Sequence, residues 1–360
     1  MMKKYIMDLT VKAVERVHER YVLIRLTDEQ ALPAMLPGQF VEVRVDGSPR
    51  TFLRRPISIC FVDYKANELW LLVAVVGDGT RRLGEMRAGE RLNCVLPLGN
   101  GFRINQSGGT ALHPYQKGET AADQSGGTAL HPHQNGGSAA DQSGGTALHP
   151  HQNGESAADQ SGGSALHGRL GGENGRLLVG GGVGVAPLLY LGATLKEQGV
   201  EPTFLLGARS AKDLLLISEF EKYGRVLVTT EDGSEGERGF VTNHSVLQEE
   251  SVLQEESVLQ EESVQQKGLR RGSDGKPARR FEMIQCCGPT PMMKAVARYA
   301  REKGIECEVS LENLMACGLG ACLCCVEKVA PSSLSEKNGE PTNVCVCKDG
   351  PVFNINRLLW

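Results

Sequence analysis

The segment MACGLGACLCCV spaces three cysteines as Cys317-x4-Cys322-x2-Cys325, and a further thiol follows about twenty residues on, at Cys345 or Cys347. Thiolates spaced four then two share one tight loop and turn inward on a small rigid body, which a distant fourth thiolate closes. This is the plant-type [2Fe–2S] spacing. Gly318 and Gly320 let the backbone fold that closely and aim N–H groups at sulfur. A structural zinc site is the competing reading, but zinc is usually held by two Cys-x2-Cys knuckles, so the asymmetric set favours iron–sulfur. Cys324 reads as a bystander. Residues i and i+2 of a strand face the same way, so alternation does not choose between Cys345 and Cys347.

A second constellation, Gly180-Gly181-Gly182-Val183-Gly184-Val185-Ala186-Pro187, lies between a strand pattern and a helix pattern. Glycines there bring a pyrophosphate close to the backbone, and the helix start favours its charge. One such turn is often glycine-rich for packing alone. Cys287-Gly288-Pro289-Thr290-Pro291-Met292 supplies another strand-to-helix turn, and two on one sheet edge point to a nucleotide crevice. Upstream, Arg54-Arg55-Pro56-Ile57-Ser58 is followed by Gly77-Asp78-Gly79-Thr80 and the short helical RRLGEM. An arginine with a helix start grips a diphosphate, and a serine beside it can hydrogen-bond a heterocycle. Either motif alone would read as a surface arginine or an ordinary turn. Arg54 reads as a solvated neighbour rather than a second anchor.

Positioning these groups takes several elements. At 360 residues the chain is long for one core and comfortable for two or three. Residues 1–104 read as strands (VLIRLT, FVEVRV, PISICFV, ELWLLVAVV, ERLNCVLPL) between Pro and Gly turns, the pattern of a small antiparallel β-barrel. Residues 176–306 alternate strand and helix, as in a parallel sheet covered by helices. Residues 307–360 form a small cysteine-rich C-terminal domain. The expected fold class is multidomain β and α/β. Two low-complexity runs interrupt it. The unit DQSGGTALHPHQNGGSAA recurs with a period of 18 from Asp123, Asp141 and Asp159, inside an insertion over 105–175. That insertion is too polar to repay the entropy of ordering, so disorder is expected. SVLQEE repeats from Ser245, Ser251 and Ser257 in an insertion over 245–280. A period of six rotates its Val-Leu pair by ~120° per copy, so a solvated helical extension without an apolar stripe is expected.

Composition narrows the function. Lys plus Arg (39) against Asp plus Glu (43) leaves −4, which argues against a nucleic-acid binder working by phosphate neutralisation. No apolar run approaches the ~20 residues of a membrane span, and no signal peptide opens the chain. A soluble, cytoplasmic protein is expected. Seven of eleven cysteines follow residue 300, and clustered thiols in a reducing compartment favour metal over disulfides. Six of eight histidines fall in the first insertion, leaving His18 and His244, so a histidine-based metal or acid/base site is not expected.

RRPIS, VVGDGTRRL, LPLGNGF, VGGGVGVAPL and CGPTPMM, in this order, resemble the ferredoxin–NADP reductase superfamily. The tail, MACGLGACLCCV with CKDGPVF, is similar to one branch, the electron-transfer subunits of type-B dihydroorotate dehydrogenases. The resemblance spans the chain outside the two repeats. It implies FAD contacts at Arg55, Pro56, Ile57 and Ser58, along Leu72, Val73 and Ala74, and at Gly79 and Thr80. Superfamily members often carry Tyr-Arg where this chain has Val73-Ala74, so only backbone contacts are expected there. It implies NAD(H) docking at Gly181, Gly182, Val183, Gly184, Val185 and Pro187, and near Cys287, Gly288 and Pro289. It implies a [2Fe–2S] cluster on Cys317, Cys322, Cys325 and Cys347, since CKDGPVF supplies the fourth ligand in such proteins. No catalytic acid or base is implied.

The implied activity is a relay in which NAD(H) and FAD exchange electron pairs and the cluster passes electrons singly. The implied partner is an FMN-containing catalytic subunit, in a heterotetramer of two of each, oxidising dihydroorotate to orotate in pyrimidine (UMP) biosynthesis with NAD⁺ as acceptor. The alternative is a flavin/iron–sulfur reductase subunit of a hydrogenase, sulfur reductase or ferredoxin–NADP transhydrogenase complex. A rival of another class, a zinc-tailed nucleotide-binding regulator, predicts a colourless protein.

Overall fold

The computed structural model describes residues 3–104, 175–248, 281–331 and 340–360. The insertions expected over 105–175 and 245–280 therefore fall, apart from their ends, outside the described residues.

Six strands build the first unit: β1 (Tyr5–His18), β2 (Tyr21–Thr27), β3 (Phe40–Val43), β4 (Arg55–Asp63), β5 (Glu68–Ala74) and β6 (Arg91–Leu98). They close a barrel in the order β1-β2-β5-β4-β3-β6, with antiparallel pairing throughout. Period-two alternation drives the closure, as in β1, where Leu9 and Val11 are buried between exposed Asp8 and Lys12. Leu9, Ile24, Val41, Ile59, Leu71 and Leu92 fill the interior. The expected β-barrel is present. Its pairing is incomplete at one place. β4 meets β5 only from Ile59↔Leu71 to Asp63↔Glu68, so residues 55–58 and 72–74 diverge into an open V. A short helix, α1 (Asp78–Gly84), follows at the mouth of that V.

The second unit is a sheet of β7 (Arg176–Gly181), β8 (Thr203–Ala208), β9 (Arg225–Thr230), β10 (Glu237–Arg238), β11 (Met283–Cys287) and β12 (Glu306–Ser310). These strands are all parallel. β7 and β11 are buried on both faces, which is why their sequences, RLLVGG and MIQCC, do not alternate and carry only Arg176 and Gln285 as polar side chains. The chain runs outward from β7 through β8 and β9 to β10, then returns to lay β11 on the other side of β7. The strand order reverses between β7 and β11, and both glycine turns sit at their carboxyl ends.

Contacts on two sides hold the units together. Helix α2 (Ala186–Glu197) carries Tyr190, whose hydroxyl donates to Met35 O of the barrel at 3.0 Å. Phe61 of the barrel stacks on Tyr223 and meets Tyr190 edge-on. On the far side, Arg103 N donates to Glu308 Oε2 and Gln285 Nε2 donates to Arg103 O. Arg176 donates to Ile104 O at 3.0 Å. The described chain stops at Ile104 and resumes at Gly175, so both ends of the first insertion lie at the start of β7, opposite the glycine turns.

The cysteine-rich tail is not a separate bead. Its hairpin of β13 (Val326–Val329) and β14 (Thr342–Cys345) stands alone, but β15 (Val352–Asn354) joins the sheet antiparallel to β12. Part of the first SVLQEE copy is described: residues 245–248 are helical, with Val246 and Leu247 buried in the sheet's core. That copy has the apolar contact that a period of six denies to the series. Among the described residues no helix is long and apolar enough to cross a membrane.

Candidate functional site

The V between β4 and β5 is lined by the residues expected to hold a flavin. Pro56, Ile57 and Ser58 pair with Glu42, Val41 and Phe40 of β3 on one side, and carry no strand on the other. Leu72, Val73 and Ala74 likewise pair only with Leu23, Val22 and Tyr21 of β2. Two unpaired backbone edges thus face each other across a gap, as a planar heterocycle with polar rims requires. Arg55 lies at the mouth. Its guanidinium donates to Leu53 O and Arg54 O, and has no carboxylate in ion-pair range among the described residues. A β-carbon on Gly79 would fall 3.0 Å from Thr51 Cγ2 and 3.3 Å from Arg55 Nε, so the glycine keeps a small cradle open there. Thr80 is spent on the turn itself, its hydroxyl accepting the N–H groups of Val76 and Gly77. These groups fit a flavin with its diphosphate.

Arg54 is not the solvated neighbour expected. It is half-buried, donating to Glu42 O and to both Asn93 O and Asn93 Oδ1, while Asn93 donates to Asp8. It ties β3, β4 and β6 together, its guanidinium turned to three oxygens of Glu42 and Asn93.

The glycine turns after β7 and β11 meet. A β-carbon on Gly184 would fall 2.5 Å from the backbone of Gly288, so only glycine permits this approach. Gly181, Gly182, Pro289 and Met292 floor a cavity of about 590 Å³ that extends over the ends of β8 and β9, past Arg209, Glu231 and Phe240. Gly184, Val185, Pro187 and Cys287 are buried beneath it, and half-buried Val183 packs against the same core. Burial pushes the Cys287 thiol well up, which keeps it neutral. His18, Arg20 and Tyr21, from the turn joining β1 to β2, complete the wall, with His18 3.4 Å from Asp213. No sequence motif flagged these barrel residues. The fold also brings Arg20 and Arg209 to one cavity, which their separation along the chain conceals.

The cysteine loop is held by its own amides. Leu319 N and Cys322 N donate to Cys317 Sγ at 3.3 and 3.4 Å, Gly320 N to Cys347 Sγ at 3.1 Å, and Cys347 N to Cys325 Sγ at 3.4 Å. Gly318 and Gly320 have φ of 64° and 82°, the left-handed turns that aim those amides inward. Burial opposes ionisation of Cys317, but the Leu319 and Cys322 amides outweigh it and pull the thiol down to about 6. Burial, with the neighbouring Cys325 thiol, pushes Cys347 up to about 12. The sulfurs lie in pairs, Cys317 with Cys322 and Cys325 with Cys347, and Cys322 also meets exposed Cys324. Among the described residues no three Cys, His, Asp or Glu side chains converge on a single-ion point. Two thiolate pairs fit a body with two irons. Cys345 turns its sulfur toward Gly320 O at 3.9 Å and offers none to the loop's amides.

The three sites adjoin in one order. Ala74, at the end of the V, pairs with Tyr21, whose hydroxyl is 3.7 Å from where Gly182 would carry a β-carbon. Pro56, on the other arm, pairs with Glu42, whose Cγ is 2.6 Å from the same position on Gly318. Glu42 is fully buried with both carboxylate oxygens unpartnered among the described residues, and burial, against the pull of Arg54, pushes its pKa up to about 7. Asn100, in LPLGNGF, fastens the tail: its N–H donates to Gly350 O and its side chain to Asp349 O. Tyr21 and Glu42 carry no motif that would have found them, and LPLGNGF gave no sign that Asn100 reaches the tail.

Residues 312–359 match a family described as the iron-sulfur cluster binding domain of dihydroorotate dehydrogenase B, and residues 178–298 match an oxidoreductase NAD-binding domain. The dihydroorotate dehydrogenase B (NAD(+)) electron transfer subunit of Bacillus velezensis is 30% identical over 350 residues, covering 97% of each chain. Its counterpart from Lysinibacillus sphaericus is 31% identical over 321 residues, 89% of this chain and 85% of that one. Among solved structures, the NADH-dependent reduced ferredoxin-NADP oxidoreductase superposes with a TM-score of 0.62 at 23% identity, over 98% of this chain and 90% of that one.

Proposed function

The chain belongs to the family of dihydroorotate dehydrogenase B electron transfer subunits, and we propose that its three adjoining sites form the conduit between NAD(H) and a catalytic dihydroorotate dehydrogenase subunit. When bound, FAD exchanges electron pairs with NAD(H), and a [2Fe–2S] cluster exchanges single electrons with the partner. The V of β4 and β5 holds the flavin ring by the backbone of residues 55–58 and 72–74, with the Ser58 hydroxyl available to its polar rim. Arg55 and the Gly79 cradle take its diphosphate. The turns at Gly181–Pro187 and Cys287–Pro289 seat the dinucleotide, with its adenosine toward β8 and β9. Cys317, Cys322, Cys325 and Cys347 ligate the cluster, the sulfurs of Cys317, Cys325 and Cys347 already accepting four backbone N–H groups.

One observation carries this reading. The V is flanked by the nucleotide turn through Tyr21 and by the cysteine loop through Glu42, so it alone touches both other sites. The overall reaction is oxidation of dihydroorotate to orotate with NAD⁺ as acceptor, within UMP synthesis; no proton-transfer residue is needed in this chain. Leu314, Leu319 and Leu323 stand exposed around the cysteine loop, an apolar face suited to the partner. The finer arrangement we propose is an FMN-containing partner in a heterotetramer of two of each, in the cytoplasm, where a reducing medium keeps all eleven cysteines free.

The test is direct. Anaerobically purified protein shows flavin bands over broad iron–sulfur absorption, and NADH bleaches both. With the catalytic subunit and dihydroorotate it reduces NAD⁺. A colourless chain, or a single zinc on the cysteines, would overturn the proposal. Activity with a hydrogenase or ferredoxin partner instead would support the alternative.

A further inference from the structure

The cysteine loop supplies no positive charge of its own. From Leu311 to Val326 the chain carries Glu312 and no lysine or arginine. The barrel side presents another acid, Glu42, whose Cγ is 2.6 Å from where Gly318 would carry a β-carbon. Four thiolates around two irons and two sulfides leave a net negative charge, which an added electron deepens. Charge placed beside such a centre therefore moves its potential.

Lys348 is placed to supply a cation, and the relay described above gives it no part. It follows Cys347 directly, on the helical turn of residues 346–349. Its backbone is held from the barrel, since Asn100 Nδ2 donates to Lys348 O at 3.3 Å and to Asp349 O at 3.0 Å. Its stem lies over the second left-handed glycine of the loop. A β-carbon on Gly320 would fall 3.1 Å from Lys348 Cδ, 3.3 Å from Cβ and 3.7 Å from Cγ. Gly320 N is the donor to Cys347 Sγ at 3.1 Å. The stem thus covers the peptide that holds a ligand sulfur, and the ammonium is one methylene beyond the Cδ that touches it. Lys348 is exposed, and its ammonium has no hydrogen-bond or ion-pair partner among the described residues. The neighbouring acid is engaged elsewhere: Asp349 Oδ2 accepts Cys345 N at 2.8 Å. The lysine's charge is also felt at a sulfur. Burial, with Cys325 and Asp349, pushes the Cys345 thiol up, and Lys348 pulls it down.

We propose that Lys348 raises the reduction potential of the [2Fe–2S] centre and so holds the travelling electron on the cysteine loop, between the flavin and the partner subunit. The inference rests on the cluster reading of the four cysteines and adds a residue that ligates nothing. The sign follows from charge, because an ammonium stabilises the reduced, more negative centre over the oxidised one. Its head is in water, so the effect is screened. About threefold in the ratio of reduced to oxidised centre is expected at low ionic strength, or ~28 mV at 59 mV per tenfold for one electron.

The experiment is a redox titration of the full-length holoprotein, following the iron–sulfur absorption and the paramagnetic signal of the reduced centre, with the flavin bands read in parallel. Lys348→Met keeps a stem over Gly320 and removes the charge. The expected result is a cluster midpoint lower by that amount, with the flavin midpoint unmoved. Lys348→Gln, neutral and polar, gives the same lowered value, and Lys348→Arg restores the wild-type one. The gap between wild type and Lys348→Met closes as salt is raised. Lys65→Met removes the same charge from the closed turn between β4 and β5, at the end away from the V, and leaves the cluster midpoint unchanged. An unmoved midpoint in Lys348→Met and Lys348→Gln overturns the proposal. So does a Lys348→Arg midpoint matching that of Lys348→Met, which would assign the shift to packing, or an equal shift in Lys65→Met, which would assign it to net charge. A wild-type chain without iron–sulfur absorption overturns the cluster reading itself.

Discussion

Replacing Gly184 with alanine tests the nucleotide crevice at the point where its two turns touch. A β-carbon there would lie 2.5 Å from both Cα and N of Gly288 and 2.7 Å from the carbonyl carbon of Cys287. All three are backbone atoms, so no side chain can rotate aside. Ordinary contact begins at 3.4 Å, and the β7 and β11 turns must part by about 0.9 Å to reach it. Overpacking of that kind costs about 1–3 kcal/mol, and a misplacement of about 1 Å in a reacting pair slows transfer ~10²-fold. The assay is rapid mixing of NADH with the FAD-loaded variant, following flavin bleaching as NADH is raised. The expected result is at least tenfold weaker NADH binding and a transfer rate lower by about two orders of magnitude, with flavin and iron–sulfur absorption intact. Gly77→Ala is the control: its backbone is extended and nothing lies within 4 Å, so its NADH reaction stays normal. If Gly184→Ala reduces its flavin at the wild-type rate and affinity, the two turns do not hold the dinucleotide.

Three further outcomes are expected. Cys347→Ser removes the iron–sulfur absorption while FAD stays bound, and Cys345→Ser keeps both; the reverse result, seen in visible and electron paramagnetic spectra, would move the fourth ligand. Leu323 has φ of 59°, a conformation asparagine adopts more readily than leucine, so Leu323→Asn removes apolar surface without straining the loop. Combined with Leu314→Asp it should weaken binding of the catalytic subunit about tenfold or more and leave NADH bleaching untouched; unchanged association in sedimentation would place the partner elsewhere. Burial acts against ionisation of Glu68, but Lys12 at 2.5 Å and Trp70 at 3.0 Å outweigh it and hold its pKa below the ordinary 4.5. A depressed carboxylate lends stability that is complete above pH 4.5 and lost as pH falls through its folded value. Lys12→Met should therefore cost about 1 kcal/mol at pH 7, lysine being half exposed, and flatten the acid decline of the melting temperature; an unaltered decline would refute the pairing.

What could be read from the sequence was what is local. The cysteine spacing, the two glycine turns and the RRPIS segment are contiguous, and each announces its chemistry because neighbouring residues alone build the loop. Choices that depend on conformation a few residues away were hidden. Alternation could not separate Cys345 from Cys347 because it presumed a strand, whereas β14 ends at Cys345 and residues 346–349 form a helical turn. The chain passes from strand to helix between them, so Cys347 Sγ accepts Gly320 N while Cys345 Sγ turns toward Gly320 O. Arg54 and Arg55 are adjacent in the chain and opposite in role, since the strand sends one across β3 to Asn93 and leaves the other at Gly79.

Order among the sites is a different kind of information, and no motif can encode it. Tyr21 stands between the V and the nucleotide turn because it is the residue that β2 sets opposite Ala74, and Glu42 stands between the V and the cysteine loop because β3 sets it opposite Pro56. Register, not residue identity, selects them, so a different side chain at either position would still be the one in between. The choice of side chain is then free to adjust what passes. A buried, unpartnered carboxylate beside Gly318 is a costly group to keep, and a hydrophobic residue would pack there more cheaply. Its presence at the junction of barrel and cysteine loop bears on two properties, the electrostatics of that junction and the stability of the barrel. Glu42→Gln separates the two: it should stabilise the fold above pH 7, where the buried charge is most costly, while shifting the midpoint potential of the cluster measured by redox titration. A stabilised protein with an unmoved potential would show that the carboxylate has no influence on electron flow.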